Sequence, residues 1–168
     1  MSAPPLKRSA GSADERAVTL ADRIAAQPGW AVALDVPTAI GPVALVAVGP
    51  GGVFVVESAS ALGARHPRDV PERPLMHAWA LARHLREAIG PPVAPLLAVD
   101  ARLDGLGGRR RGVHVVRSEL APNWLAERPA ALSEPDRARL LARLGADVPR
   151  PTLAQRGPDA TRPARATT

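Results

Sequence analysis

Apolar and polar positions alternate along the chain with two periods, one near 3.6 residues and one of 2. From Ser12 to about Gln27, the apolar residues Ala17, Leu20, Ile24 and Ala25 recur at helical spacing. Ser12 is a candidate N-cap, and Glu15 lies three residues on, at capping-box spacing. Pro28-Gly29 stops this helix. Trp30 to Val36 alternates as a strand, Gly41-Pro42 opens a second strand over Val43 to Val48, and Val53 to Ser58 reads as a third. Gly49-Pro50-Gly51-Gly52 joins the last two, and proline followed by glycine at its centre predicts a type II turn. Residues 61–73 read as a charged loop. Pro74 to Ile89 predicts an amphipathic helix whose apolar positions are Leu75, Trp79, Ala82, Leu85 and Ile89.

Val93 to Val99 then predicts a buried strand, residues 100–111 a glycine-rich loop, and Val113 to Val116 a short strand. Helices are expected over about Ser118–Glu127 and Ser133–Leu144, with Ser133 and Asp136 giving a second cap signature. The predicted order is a helix, a three-strand antiparallel meander, a helix, two strands and C-terminal helices. That is a mixed α/β domain with a helix-covered sheet. It would occupy residues 11–145, between an arm at 1–10 and a basic, proline-rich tail at 146–168, both expected to be disordered.

Composition changes this picture in three ways. The 168 residues contain no cysteine, so disulfides, thiolate metal sites and a cysteine nucleophile are excluded. This fits a reducing cytosol. Hydrophobic residues make up 46% but aromatics only 2%, so the core must be built from Val, Leu, Ile and Ala. The net charge is +6, and the only lysine is Lys7, so the excess is arginine. Arginine suits phosphate recognition. An Ala-, Arg-, Pro- and Gly-rich composition bias explains the same charge without a partner.

The first 16 residues lack the apolar core of a secretory signal. Residues 36–56 carry no charge and are long enough to span a bilayer. Their Pro37, Pro42, Pro50 and valine-rich runs instead read as strand, turn and strand, so no membrane segment is expected. The histidines (His66, His77, His84, His114) lack zinc-site spacing. There is no Gly-x-Ser-x-Gly elbow and no dinucleotide-binding glycine turn.

Candidate chemistry centres on Glu57, at the end of the apolar run Val53-Phe54-Val55-Val56. If Gly49 pairs with Gly52, then Val48 faces Val53, Val46 faces Val55 and Ala44 faces Glu57, with opposed Cβ atoms roughly 5 Å apart. Ala59 lies two residues beyond Glu57 on the same face. An acid at 44 and a lysine at 59 would complete a magnesium site for phosphodiester hydrolysis. The stretch Gly29-Trp30, with Gly49-Pro50-Gly51-Gly52-Val53-Phe54-Val55-Val56-Glu57, resembles the nuclease-related domain (NERD) family of the restriction-endonuclease-like PD-(D/E)xK superfamily. Asp14-Glu15-Arg16 stands where that family carries Gly-Glu-Arg, and the likeness spans roughly residues 10–145.

The resemblance implies a restriction-endonuclease-like core and a metal-dependent nuclease ancestry. It also implies a lost site. Ala44 stands where the family has its metal-binding aspartate, Leu45 replaces the following histidine and Ala59 replaces the lysine. Glu57 is then a vestige of the site. On the residues alone it is a solvated strand-end carboxylate, or one paired with an arginine. Glu15 is a helix-capping residue or a second acid of the same site. Arg65, Arg68 or Arg73 would offer electrostatic help from the charged loop.

Arg109-Arg110-Arg111 either grip a phosphate backbone or form a solvated loop, with no aromatic neighbour in sequence to stack a base. Trp79 and Trp124 are expected in the core or an interface. The expected function is a catalytically inactive, nuclease-related-like module that binds nucleic acid through arginines or binds a protein partner, with no metal or other cofactor. The alternatives are an active Mg²⁺-dependent nuclease using Glu57, Glu15 and Asp35, and a plain protein-interaction scaffold.

Overall fold

The fold is described over residues 19–145 in a computed structural model. Among these residues, helix α1 covers 19–25. There follow β1 (Ala31–Val36), β2 (Val43–Gly49), β3 (Gly52–Ser60), a short 3₁₀ turn (Pro67–Asp69), α2 (Glu72–Ile89), β4 (Val93–Asp100), β5 (Gly108–Arg110), β6 (Val113–Arg117), α3 (Ala121–Ala126) and α4 (Glu134–Arg143). The expected cap at Ser12 and Glu15, the N-terminal arm and the C-terminal tail lie outside the described residues.

The strands form one mixed sheet in the order β1-β2-β3-β4-β6-β5. The meander β1-β2-β3 is antiparallel, β3, β4 and β6 run parallel, and β5 pairs antiparallel with β6 on the edge. α2 is the crossover between parallel β3 and β4, the connection such a pair requires.

Strand alternation splits the core into two layers. On one face, Val46, Val48, Val53 and Val55 pack against Leu81, Leu85 and Ile89 of α2 and Leu140 and Leu141 of α4. This layer continues under the first half of α2, where Leu75 and Ala78 meet Leu97, Val99, Val113 and Val115. On the other face, Leu45, Ala47, Phe54, Val56, Leu96 and Val116 pack against Leu20 and Ile24 of α1 and Leu125 of α3. The charge-free residues 36–56 are accounted for by β2 and β3, and no helix among the described residues is long and apolar enough to cross a membrane.

Several details depart from the sequence reading. The expected loop at 100–111 contains a strand: β5 and β6 form a hairpin in which Arg110 pairs with Val113. Its two connecting residues, Arg111 (φ 48°) and Gly112 (φ 80°), both have positive φ, the signature of a type I′ turn. Arginine at the first position, where Asn, Asp or Gly is usual, hides the hairpin in the sequence. Second, the Gly49–Gly52 turn is not type II. That turn needs positive φ at Gly51, and the positive φ falls on Gly52 (125°). Third, α2 begins at Glu72, before the proline expected to open it, which moves Arg73 out of the loop and onto the helix.

The β2–β3 register matches expectation as far as it runs: Gly49 with Gly52, Val48 with Val53 and Val46 with Val55. The ladder ends there, short of Ala44 and Glu57. β1 and β2 are distorted at this level. Asp35 adopts φ 52°, and the pairing steps from Leu34–Leu45 to Val36–Val43. Beyond the kink, Val36 and Val43 join the same core layer as Ala33 and Val46, breaking strict alternation.

Candidate functional site

Glu57 shares its strand face with Val53 and Val55 and points toward α2. Its β4 partner in the parallel register is Leu97. The carboxylate is largely shielded from solvent, and among the described residues it has no arginine partner. Only 17% of the side chain is exposed, and the partner of Oε2 is His77 Nδ1 at 3.4 Å. His77 lies one turn after Arg73 on α2, and its own side chain is 56% exposed. Burial pushes the Glu57 pKa above its ordinary value, and the His77 ring opposes that shift by charge and hydrogen bonding. Glu57, Ser58, Arg73, Pro74 and His77 line a cleft of about 390 Å³. Glu57 thus forms its floor while His77 and Arg73 stand at its rim.

The other site positions do not assemble a cation site. Ala44 is exposed and outside the β2–β3 ladder. Ala59 packs against the apolar cluster of Ala61, Val70, Leu75 and Val99, so its methyl group serves the core. Leu45 is buried on the opposite face. Asp35 is exposed on β1, two strands from β3 and thus roughly 10 Å away across the sheet. Glu15 lies outside the described residues. Among the described residues, no group of three or more His, Asp or Glu side chains is arranged to hold a metal ion. Of the three loop arginines, only Arg73 lines the cleft. Arg68 pairs with Asp69 (3.9 Å), and Asp69 also accepts backbone hydrogen bonds from Arg65 and His66 (3.2 and 2.9 Å). These backbone bonds lower the Asp69 pKa.

Arg109-Arg110-Arg111 is a divided triplet. Arg110 donates to the Val70 carbonyl and lies 3.7 Å from Glu72, while Arg111 pairs with Glu72 at 2.7 Å. These two arginines fasten the β5–β6 hairpin to the start of α2. Arg109 points elsewhere, being the cross-strand partner of His114. Trp79 is 41% exposed, on the rim of a groove of about 530 Å³ beside Arg83 and Pro95. Trp124, expected in the core or an interface, is half-buried and packs against the core, with its ring beside Phe54 and His114.

The residues that carry the family likeness have a structural role of their own. The Trp30 ring lies against Gly49 so closely that a Cβ there would overlap it, and a Cβ on Gly51 would overlap Arg128. The Pro50 carbonyl accepts from Ala131 N and Leu132 N (2.7 and 3.1 Å), and Arg137 Nη1 donates to the Gly29 carbonyl (2.6 Å). The glycines and the tryptophan therefore tie the meander to the C-terminal helices, at the end of the sheet away from Glu57.

Sequence reasoning missed His77. The available signal was its spacing: Arg73, His77 and Leu81 are four apart, so they share one face of a helix, and Leu81 is buried against β3. No protein-family profile, curated protein or solved structure matches this chain. Fold and site together define a mixed α/β protein with a six-stranded sheet and a Glu–His cleft on its α2 face.

Proposed function

We propose that this chain is a non-catalytic binding module on a nuclease-related, restriction-endonuclease-like scaffold, acting on nucleic acid or a protein partner rather than cleaving a substrate. One observation carries the reading: Glu57, the acid at the vestigial site among the described residues, is engaged by His77, while Ala44 and Ala59 stand at the other strand positions. A hard divalent cation requires several oxygen ligands, and alanine supplies none. Arginine does not replace the lysine as a base, because it stays charged at any working pH. The lack of cysteine suits a reducing cytosol.

Titrating paramagnetic Mn²⁺ into isotope-labelled protein tests this directly. No saturable broadening is expected at the Glu57, Ser58 and His77 resonances. Saturable broadening confined to those residues contradicts the reading.

A second reading, a nuclease with a rearranged site, draws on the cleft itself. A histidine held by a half-buried carboxylate, with an arginine beside it, has the parts for acid–base work on a phosphodiester. It predicts cleavage that needs His77 and no metal.

A further inference from the structure

On the sheet face opposite the Glu57 cleft, basic and aromatic side chains from three parts of the chain converge. Arg109 of β5 stands directly across from His114 of β6, and such partners project to the same side of an antiparallel pair. The His114 ring packs on Trp124 of α3, with ring centroids 4.9 Å apart. The Arg128 guanidinium lies 4.0 Å above the Trp124 ring, and its Nε donates to the Trp124 carbonyl at 3.1 Å. The Trp124 contacts therefore fix Arg128 beside His114. Among the described residues, neither Arg109 nor Arg128 has a carboxylate within ion-pairing distance. Arg110 and Arg111, which follow Arg109 in the triplet, are both engaged with Glu72.

Two guanidinium groups, one of them held on the Trp124 ring, concentrate positive charge around His114 with no carboxylate partner among the described residues, and a bound anion compensates it. The His114 pKa is lowered, by burial first and then by the charges of Arg109 and Arg128. The arginines offer planar forks that match phosphate oxygens. Beside them, the partly exposed His114 ring, packed on Trp124, is of the kind against which a nucleotide base stacks. The net charge of +6 adds an attractive long-range field for a polyanion.

We infer that Arg109, His114 and Arg128, arranged around Trp124, form a phosphate-binding patch for single-stranded nucleic acid. This rests on the binding-module reading above and names its partner, but it uses a different face of the sheet.

Fluorescence anisotropy of a labelled single-stranded oligothymidylate, titrated with the full chain from about 50 to about 200 mM salt, tests it. Saturable binding is expected to weaken as salt rises. Arg109→Ala and Arg128→Ala should each weaken binding and flatten the slope of log affinity against log salt by about 0.7. Arg111→Ala, which removes a partner of Glu72, should leave that slope unchanged. Adding the oligonucleotide should also raise the His114 pKa, read from its imidazole NMR signals.

If a folded variant carrying both Arg109→Ala and Arg128→Ala binds as tightly as the wild type, the patch is wrong while the binding-module reading stands. Equal losses from all three arginine substitutions would mean diffuse attraction and also overturn the patch. So would a chain that binds anionic phospholipid vesicles or inorganic phosphate but no oligonucleotide. Cleavage of the oligonucleotide would contradict the binding-module reading and leave the patch to be judged on affinity alone.

Discussion

A carboxylate such as Glu57 is costly to shield from water, and the fold half-buries it beside a histidine. A raised pKa means that the folded chain holds the carboxyl proton more tightly than the unfolded chain. Stability therefore falls as pH rises from the ordinary glutamate value through the folded value, and the penalty is complete above it. Replacing Glu57 with glutamine removes the charge that burial disfavours. Glu57→Gln should accordingly raise the urea midpoint at neutral pH and remove this part of the pH dependence; an unchanged midpoint profile would contradict the assignment. Because His77 opposes the shift, His77→Ala should move the Glu57 pKa further up, measurable by carbon NMR of its carboxyl group. The sequence showed that Glu57 closes an apolar strand. It did not show His77, because that contact depends on where α2 starts and hence on which helix face meets β3. The glycines were legible as turn residues, but not as contact surfaces. Gly49→Ala drives a methyl group into the Trp30 ring and should cost about 1–3 kcal/mol by overpacking, read as a lower urea midpoint with an unchanged slope.

Elements were legible where local chemistry decides them. Ser133 caps α4 as its spacing implies: the Asp136 amide donates to Ser133 Oγ (3.3 Å), and that hydroxyl donates to the Asp136 carboxylate (2.6 Å). Ser133→Ala should therefore cost about 1 kcal/mol in a denaturation curve. A cost near zero would mean that the cap contributes nothing beyond the packing of Leu140 and Leu141. The β5–β6 hairpin was hidden because Arg111 takes a positive φ that arginine seldom adopts. Its energetic support is tertiary, through Arg110 and Arg111 on the Val70 carbonyl and Glu72, and no window of local sequence displays that. The kink at Asp35 is hidden for the same reason. It ends the tidy alternation of β1 and β2 one pair before Ala44 and Glu57, where the sequence alone continues the ladder.

At the scale of the molecule, the mixed α/β class and the antiparallel meander could be read from periodicity. The placement of β4 between β3 and β6 could not, since strand order depends on how helices cover both faces rather than on any one segment. Leu97 sits at that junction, fully buried and paired with both Glu57 and Val115. Leu97→Ala should cost about 2–5 kcal/mol, a large part of a domain's ordinary stability, and lower the thermal midpoint accordingly. The central claim is that the chain binds without cleaving, because the described positions around Glu57 bring no set of metal ligands together. Its most direct test is to incubate the purified full chain and its Glu57→Ala variant with end-labelled single- and double-stranded DNA in Mg²⁺ and in Mn²⁺. The account predicts intact substrate in every lane, the same for both proteins; metal-dependent cleavage by the wild type that disappears in Glu57→Ala would contradict it.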